Sequence, residues 1–445
     1  MDEKEFLELI EQKKYIKIKK ELSEINKVDI AELLNPLDPN ITLLIFRMLP
    51  KDIAVDVFAH FSADQQEDII NAVTDKELQF ILAELFFDDM IDLIEEMPAN
   101  VVNKILVNST QDERNIINKF LKYPTDSAGS LMTIEYVELR KEMTVKEALA
   151  HIKEIGLTKE TVYTCYVTDK NRKLLGIVSL KNLVTSEETI SIADILHEEV
   201  IYVNTHDDQE TVANIFRKYG FLALPVVDKE QRLTGIITVD DIMGVMEKEA
   251  TEDFQRMAAL APSEEAYLES NVFVLAKQRM PWLLVLMIGA TFTGGIIARF
   301  ENILQSVVLL TAFIPMLMDT GGNSGNQSST LIIRGLATGD VTTQDIWKVL
   351  WKEFRISILT GLGLALVNFL KNMLFDRVGV LVSLTVSLTL IVTVMLAKMV
   401  GGILPLIAKK LKMDPAIMAG PLITTIVDSL ALIVYFSIAT MLLKI

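Results

Sequence analysis

Apolar residues recur every three or four positions through residues 2–125, and Pro, Asp or Ser interrupts them at short intervals, as in MLPKDIAVDVF, FSADQQEDII and FFDDMIDLI. That period predicts a stack of short amphipathic helices, with Ser62, Asp88 and Ser109 as candidate N-caps. The pattern then changes to short β-branched runs bounded by Gly and Asp, and beyond residue 281 to long apolar stretches at 282–300, 303–318, 356–375, 378–408 and 416–443. Roughly 20 apolar residues cross a bilayer, so the last part predicts five transmembrane helices, of which the second is the shortest.

The middle of the chain is duplicated. After the turn-rich linker YPTDSAGSLMT, a helical run ends at Gly156 and a strand pair runs through Gly176; a second helical run ends at Gly220 and a second strand pair runs through Gly235. Asp169 and Asp228 each stand seven residues before the second glycine of their copy, the layout of a hairpin with a polar turn followed by a closing helix. The last helix continues as DDIMGVMEKEATEDFQRMAAL, breaks at Pro262 and is expected to restart at Ser263, where Glu264 and Glu265 favour a helix N-terminus. The predicted architecture is multi-domain: an acidic all-α superhelical N domain (1–125), two α/β modules (126–190 and 191–246), a connecting helix (247–280) and an α-helical membrane domain with five transmembrane helices (281–445).

Two features of the membrane part carry chemistry. In GPLITTIVD, Pro421, Thr424, Thr425 and Asp428 fall on one helix face, and Gly420 with Pro421 loosens the turn below. An ionised group at the bilayer centre costs about 2.5–3.5 kcal/mol on insertion scales, so Asp428 points to a cation path, or else is protonated or paired with Lys398. The stretch DTGGNSGNQSS, with Gly321, Gly322 and Gly325 among Asn323, Asn326 and Gln327, predicts a break in the second span, a pore loop whose oxygens line a path or a tight packing corner. The four histidines and Cys165 all precede residue 277, so an oxygen-only path suits Mg²⁺ or Ca²⁺.

Charge sharpens the division of labour. The chain's net charge is −17, yet residues 1–276 hold 52 acidic and 29 basic side chains, a net of −23. Phosphate neutralisation is excluded, so no nucleic-acid partner is expected. The group Asp88, Asp89, Asp92, Glu95 and Glu96, and the group Glu247, Glu249, Glu252 and Asp253, read either as solvated faces or as sites for a divalent cation. Cys165, the single cysteine, excludes an internal disulfide and reads as a buried thiol. Lys and Arg flank the expected inner ends of the spans nine to four, which predicts a cytoplasmic N-terminus and an outer C-terminus. No P-loop or catalytic triad is visible, so no enzymatic activity is expected.

The tandem unit resembles a pair of CBS modules. In that family a Gly-apolar-apolar-Ser/Thr-x-x-Asp stretch holds ribose and phosphates; Gly235, Thr238 and Asp241 match it, whereas the first copy reads Gly176, Ser179 and Asn182. The resemblance implies ATP at the CBS pair, with a purely structural dimer module as the alternative. Taken over nearly its full length, with GGNSGNQ and AGPLITTIVD as the most specific motifs, the chain resembles the MgtE family of magnesium transporters and channels. That resemblance implies a homodimer in the cell membrane, with a pore lined by the second and fifth spans, and Asp428 of each subunit, with Thr424, Thr425 and Gly420, meeting the ion. It also implies a connecting helix that plugs the pore when cytosolic Mg²⁺ binds Asp88, Asp89 and Asp92 on one side and Asp240, Asp241, Glu247, Glu249, Glu252 and Asp253 on the other. The expected function is Mg²⁺ uptake down its gradient. The alternatives are transport of Co²⁺, Mn²⁺ or Ca²⁺, exchange of Mg²⁺ against Na⁺, and a membrane-anchored nucleotide sensor.

Overall fold

In the computed structural model, which describes residues 3–263, 267–268 and 270–444, the chain divides into two compact units, Met1–Met246 and Glu247–Ile445. The first begins with short helices: α1 (Glu3–Glu11), α2 (Tyr15–Leu22), α3 (Lys27–Leu34), α4 (Pro39–Phe46), α5 (Lys51–Ala59), α6 (Ala63–Ala72), α7 (Asp75–Glu84), α8 (Phe87–Glu96), α9 (Ala99–Asn108) and α10 (Gln111–Phe120). Local chemistry sets their ends. Thr74 with Glu77 and Thr110 with Glu113 form capping boxes at α7 and α10, and Asp38 caps α4 with Pro39 at its first position.

Ser62 is the N-cap residue of α6, but two expected caps are displaced. Ser109 closes α9, its hydroxyl donating to the Ile105 carbonyl, and Thr110 caps α10 instead. Asp88 lies inside α8, whose N-cap residue is Phe86; Phe87 and Met90 pull that first turn into the core, which takes the carboxylate with it.

The duplicated modules follow. The first holds β1 (Val137–Leu139), α11 (Val145–Ile155), β2 (Thr164–Thr168), β3 (Leu174–Ser179), α12 (Leu180–Thr185) and α13 (Ile192–Ile195); the second holds β4 (Val203–Asn204), α14 (Gln209–Tyr219), β5 (Ala223–Val227), β6 (Leu233–Thr238) and α15 (Val239–Met257). Each hairpin is antiparallel, β2 with β3 and β5 with β6, and each is extended by a short parallel strand, β1 or β4, that the sequence pattern did not mark. The repeated aspartates build the turns: Asp169 Oδ1 accepts from the Asn171 and Lys173 amides at 2.7 and 2.9 Å, and Asp228 Oδ1 from those of Glu230 and Arg232 at 2.9 Å each. The repeated glycines allow close approach, since a Cβ at Gly235 would lie 2.5 Å from the Thr133 carbonyl oxygen. Cys165 is free and buried, and burial pushes its thiol up to about 12.

One core joins the helical stack to the second module, through Phe87, Phe120, Met132, Val212, Leu224 and Ile237. Phe87 and Phe120 meet edge to face at 4.6 Å, and Phe120 continues to Tyr123 at 5.7 Å. This packing brings α8 alongside the start of α15.

The second unit contains α16 (Val272–Arg299), α17 (Glu301–Ser306), α18 (Ile314–Thr338), α19 (Ile346–Leu374), α20 (Val380–Lys410) and α21 (Gly420–Leu443). Within residues 247–280, α15 ends at Met257 and α16 begins at Val272. That restart is at Val272 with Asn271 as its cap rather than at Ser263, while Glu264 and Glu265 lie outside the described residues.

Among the described residues, four helices are long and apolar enough to cross a membrane: Val272–Arg299, Thr343–Leu374, Val380–Lys410 and Pro415–Leu443. The expected second span is not one of them. Residues 303–318 are divided among α17, a 3₁₀ segment at Val308–Phe313 and the first turn of α18. The expected break at residues 321–327 is absent as well, for α18 is helical over 25 residues and carries Asn323, Asn326 and Gln327 on a helix rather than a loop. Tertiary packing overrides local propensity here: the glycines are buried against α20 and α21, where a larger side chain would hold the helices apart.

Candidate functional site

In the membrane unit α18 presents two different faces. Gly321, Gly322, Gly325, Ser328 and Ser329 are buried, whereas Asp319, Asn323, Gln327 and Thr330 are exposed. A Cβ at Gly322 would lie 2.9 Å from the Thr424 methyl, and one at Gly325 would lie 2.7 Å from Ile423 Cγ2 and 3.2 Å from the Ala397 carbonyl oxygen. Gly325→Val is therefore expected to lower the thermal midpoint in detergent and to reduce ion flux several-fold, overpacking of this kind costing about 1–3 kcal/mol. Parental flux and midpoint in that variant would show that the close approach is dispensable.

The start of α21 is tied to α18, with Asn326 Oδ1 accepting from the Gly420 amide at 3.1 Å. Gly420 has φ +41° and a Cβ there would lie 2.7 Å from the Met257 carbonyl oxygen, so both conformation and space demand glycine. Thr424 and Thr425 donate to the carbonyls of Gly420 and Pro421 at 3.1 and 2.9 Å, leaving their hydroxyl lone pairs as acceptors. Asp428 is half-buried, and its Oδ1 is enclosed without a hydrogen-bond partner among the described residues.

Lys398 does not pair with Asp428; its Nζ reaches Gln327 Oε1 at 3.5 Å. The charge that does reach Asp428 is the like charge of Asp319, a residue the sequence pattern did not single out. Among the described residues, no three His, Cys, Asp or Glu side chains converge to hold one metal ion. Within one chain these helices therefore offer single carboxylates rather than a closed cage.

In the first unit the carboxylates of α8 and the start of α15 meet. Asp88 is buried, and burial followed by the charges of Asp241 and Asp89 pushes its carboxyl up to about 9. Burial and Asp241 raise Asp89 to about 6 and Asp92 to about 7; Asp92 stands at the solvent edge of the group, so the inward-facing Asp88 weighs more. Asp241 is shifted upward by burial, although it accepts a 2.5 Å hydrogen bond from the Thr238 hydroxyl, and Asp240 sits beside it at the surface.

Two further members come from the first module. Glu160 is raised to about 7 by burial and then Asp241, with Oε2 unpartnered among the described residues, and Glu135 acts on both Asp89 and Glu160. Neither glutamate has a periodic signal; the Glu160 amide donates to the Glu135 carbonyl at 2.8 Å and draws the two loops together. Farther along α15, Glu252 is ion-paired with Arg256, which also binds Asp414.

These shifts have a sign. Carboxyls held above their unfolded values stabilise the fold while protonated, and that contribution is lost as pH rises through the folded values. In metal-free buffer the unfolding midpoint of the first unit within the full chain is expected to fall from about pH 4, the unfolded carboxyl value, to about pH 9, the folded value of Asp88, most steeply below the folded value of Asp89 at about 6. Millimolar Mg²⁺ should remove most of that fall by replacing protons with a cation. A midpoint independent of pH across this range would contradict the mutual burial of these groups.

Comparison with known proteins matches residues 314–438 to the MgtE family, described as a divalent cation transporter, residues 25–126 to the MgtE intracellular N domain, and residues 128–187 and 192–248 to CBS domains. The magnesium transporter MgtE of Thermus thermophilus is 35% identical over 435 residues, covering 95% of this chain and 94% of that protein. The magnesium transporter MgtE of Bacillus subtilis is 32% identical over 424 residues, covering 93% of each. Among solved structures, the soluble part of a magnesium transporter is 30% identical with a TM-score of 0.52, covering 56% of this chain and 98% of that one. The cytosolic domain of the Mg²⁺ channel MgtE in complex with ATP is 33% identical with a TM-score of 0.51, covering 54% and 98%. With these matches spanning its helical stack, its paired modules and its membrane helices, the chain belongs to the MgtE family of divalent cation transporters.

Proposed function

We propose that this chain forms a Mg²⁺-selective channel for influx down the electrochemical gradient, closed by cytosolic Mg²⁺, and that it has no enzymatic activity. The observation that carries the reading is the exposed polar face of α18, Asp319, Asn323, Gln327 and Thr330, whose first member acts by its charge on Asp428, in a unit built of apolar helices. Such a face at membrane depth needs water or a protein partner. A second copy supplies both: α18 becomes a fifth crossing, long enough at 25 residues, and two Asp428 side chains balance one divalent ion between the subunits. Because Mg²⁺ dehydrates reluctantly, they meet it through its water shell.

With an interior-negative potential of 100 mV a divalent ion gains about 4.6 kcal/mol on crossing inward, twice the single-charge value, so no further energy source is required. In this reading the protein is a homodimer of the cell membrane with its C-terminus outside. The cluster of Asp88, Asp89, Asp92, Asp240 and Asp241, with Glu135 and Glu160 added, is the cytosolic sensor, and Glu247, Glu249, Glu252 and Asp253 extend it along α15. The end of that helix supports its role as the plug, since Met257 packs on Ile333, Ala416 and Ala419, and Arg256 holds Asp414. The ATP complex of the related cytosolic domain favours nucleotide occupancy of the CBS pair here too; Thr238, now bonded to Asp241, would then turn to the ribose.

The test is uptake of Mg²⁺ into proteoliposomes, read by an internal dye, with Co²⁺, Mn²⁺, Ca²⁺ and an imposed Na⁺ gradient as competitors. Uptake driven by membrane potential alone supports the channel. Uptake that requires the Na⁺ gradient would favour exchange, and no ion flux would leave the spans as an anchor.

A further inference from the structure

The segment 325–329 of α18 makes a different contact at every residue. The Gly325 carbonyl oxygen lies where a Cβ of Gly401 on α20 would stand. Asn326 accepts from the Gly420 amide, Gln327 accepts from Lys398 Nζ at 3.5 Å, the Ser328 hydroxyl donates to Glu353 Oε2 at 2.6 Å, and the Ser329 hydroxyl donates to the Met418 carbonyl at 3.1 Å. Glu353 and Lys398 are only 6% and 5% exposed, and neither has a role in the ion path described above.

The two charges stand on neighbouring antiparallel helices, α19 and α20. Asn368 of α19 reaches Ser387 of α20 at 3.5 Å, and a Cβ at Gly402 would lie 3.2 Å from Glu353 Cγ. That register sets Ser357 level with Lys398, so Glu353 and Lys398 stand one helical turn apart, about 6 Å along the axis. They do not touch. Consecutive side chains of α18, Gln327 and Ser328, occupy the two charges instead. In a low-dielectric interior, opposite charges at this spacing compensate one another strongly, and removing one leaves the other buried and unbalanced.

We propose that Glu353 and Lys398 form a buried, charge-compensated clasp that fixes the rotation of α18 and so sets Asn326 against the start of α21. They are positioning residues for the ion path, an assignment that rests on the channel reading for its functional consequence but not for the clasp itself. The sign of each effect follows from electrostatics. Glu353→Gln keeps an acceptor for Ser328 but leaves Lys398 as an uncompensated cation beside the path, which opposes a divalent ion twice as strongly as a monovalent one.

The test is a double-mutant cycle on full-length protein, using Glu353→Gln, Lys398→Met and the pair together. In proteoliposomes Glu353→Gln is expected to lower Mg²⁺ flux about tenfold, the equivalent of ~1.4 kcal/mol of barrier, and to lower Na⁺ leak less. Lys398→Met is expected to shift the Mg²⁺-to-Na⁺ flux ratio in the opposite direction, and the double variant to recover most of the Mg²⁺ flux. In detergent, each single variant should lower the thermal midpoint by more than the double variant does. Additive midpoint losses without recovery would overturn the clasp even if no variant transports. A normal cycle in stability with an unchanged Mg²⁺-to-Na⁺ ratio would overturn the positioning role while leaving the channel reading intact.

Discussion

Asp428→Ala is expected to reduce Mg²⁺ uptake to the level of empty vesicles, a loss of about a hundredfold or more, or ~2.7 kcal/mol of barrier. Asp428→Asn should be less severe because it keeps an oxygen. Lys398, the one candidate cation for a structural pair, is engaged by Gln327, and Asp428 Oδ1 has no protein partner among the described residues. A carboxylate kept at membrane depth without a pairing cation is a cost to the fold that an ion on the path offsets. The Thr424 and Thr425 hydroxyls bond back along their own helix and the Gly420 amide bonds to Asn326, so none of them depends on Asp428. Expression, oligomer size and thermal midpoint should therefore stay close to the parent. Normal uptake by a well-folded Asp428→Ala protein would remove this residue from the mechanism.

Joint substitution of Asp88 and Asp241 by Asn is expected to raise the cytosolic Mg²⁺ needed for half-inhibition by about tenfold or more, since losing one bridging site forfeits ~1.4 kcal/mol or more of differential affinity. Asp88 and Asp241 are the inward-facing pair of the cluster, and after burial the charge of Asp241 is what most raises the Asp88 carboxyl. In the proposed gating, each ion that bridges such carboxylates would favour only the closed arrangement, and switching from nearly all open to nearly all closed takes about 5.5 kcal/mol of differential binding, more than one weak site supplies. Losing one site should shift the midpoint and flatten the response, whereas conduction at low Mg²⁺ should persist. An unchanged inhibition curve would exclude the cluster from sensing.

Much of this organisation was legible because the sequence repeats its own signals. The paired Asp–Gly spacings announce two hairpins, and the apolar stretches around Asp428 announce a membrane helix with an unusual charge. What stayed hidden depends on tertiary contacts. Gly321 to Gln327 looks like a break, and becomes a helix because α20 and α21 accept a glycine face at close range. Glu135 and Glu160 are isolated in sequence and join the acidic cluster only when two loops of the first module hydrogen-bond. Asp319 sits one turn before Asn323, a spacing that could have flagged a continuous polar face had the helix been recognised. Glu353 reads as one more charge among the basic residues flanking its span, and only the packing of α18 shows that it is buried.

The most direct test of the central claim is to record currents from purified protein in a planar bilayer while Mg²⁺ on the cytoplasmic face is raised from micromolar to millimolar. The expected result is an inward Mg²⁺ current at low cytoplasmic Mg²⁺ that closes steeply as the concentration rises, with the Asp88→Asn/Asp241→Asn protein still conducting at levels that shut the parent. A Mg²⁺ current indifferent to cytoplasmic Mg²⁺, or no current under a Mg²⁺ gradient and an inward driving potential, would contradict it.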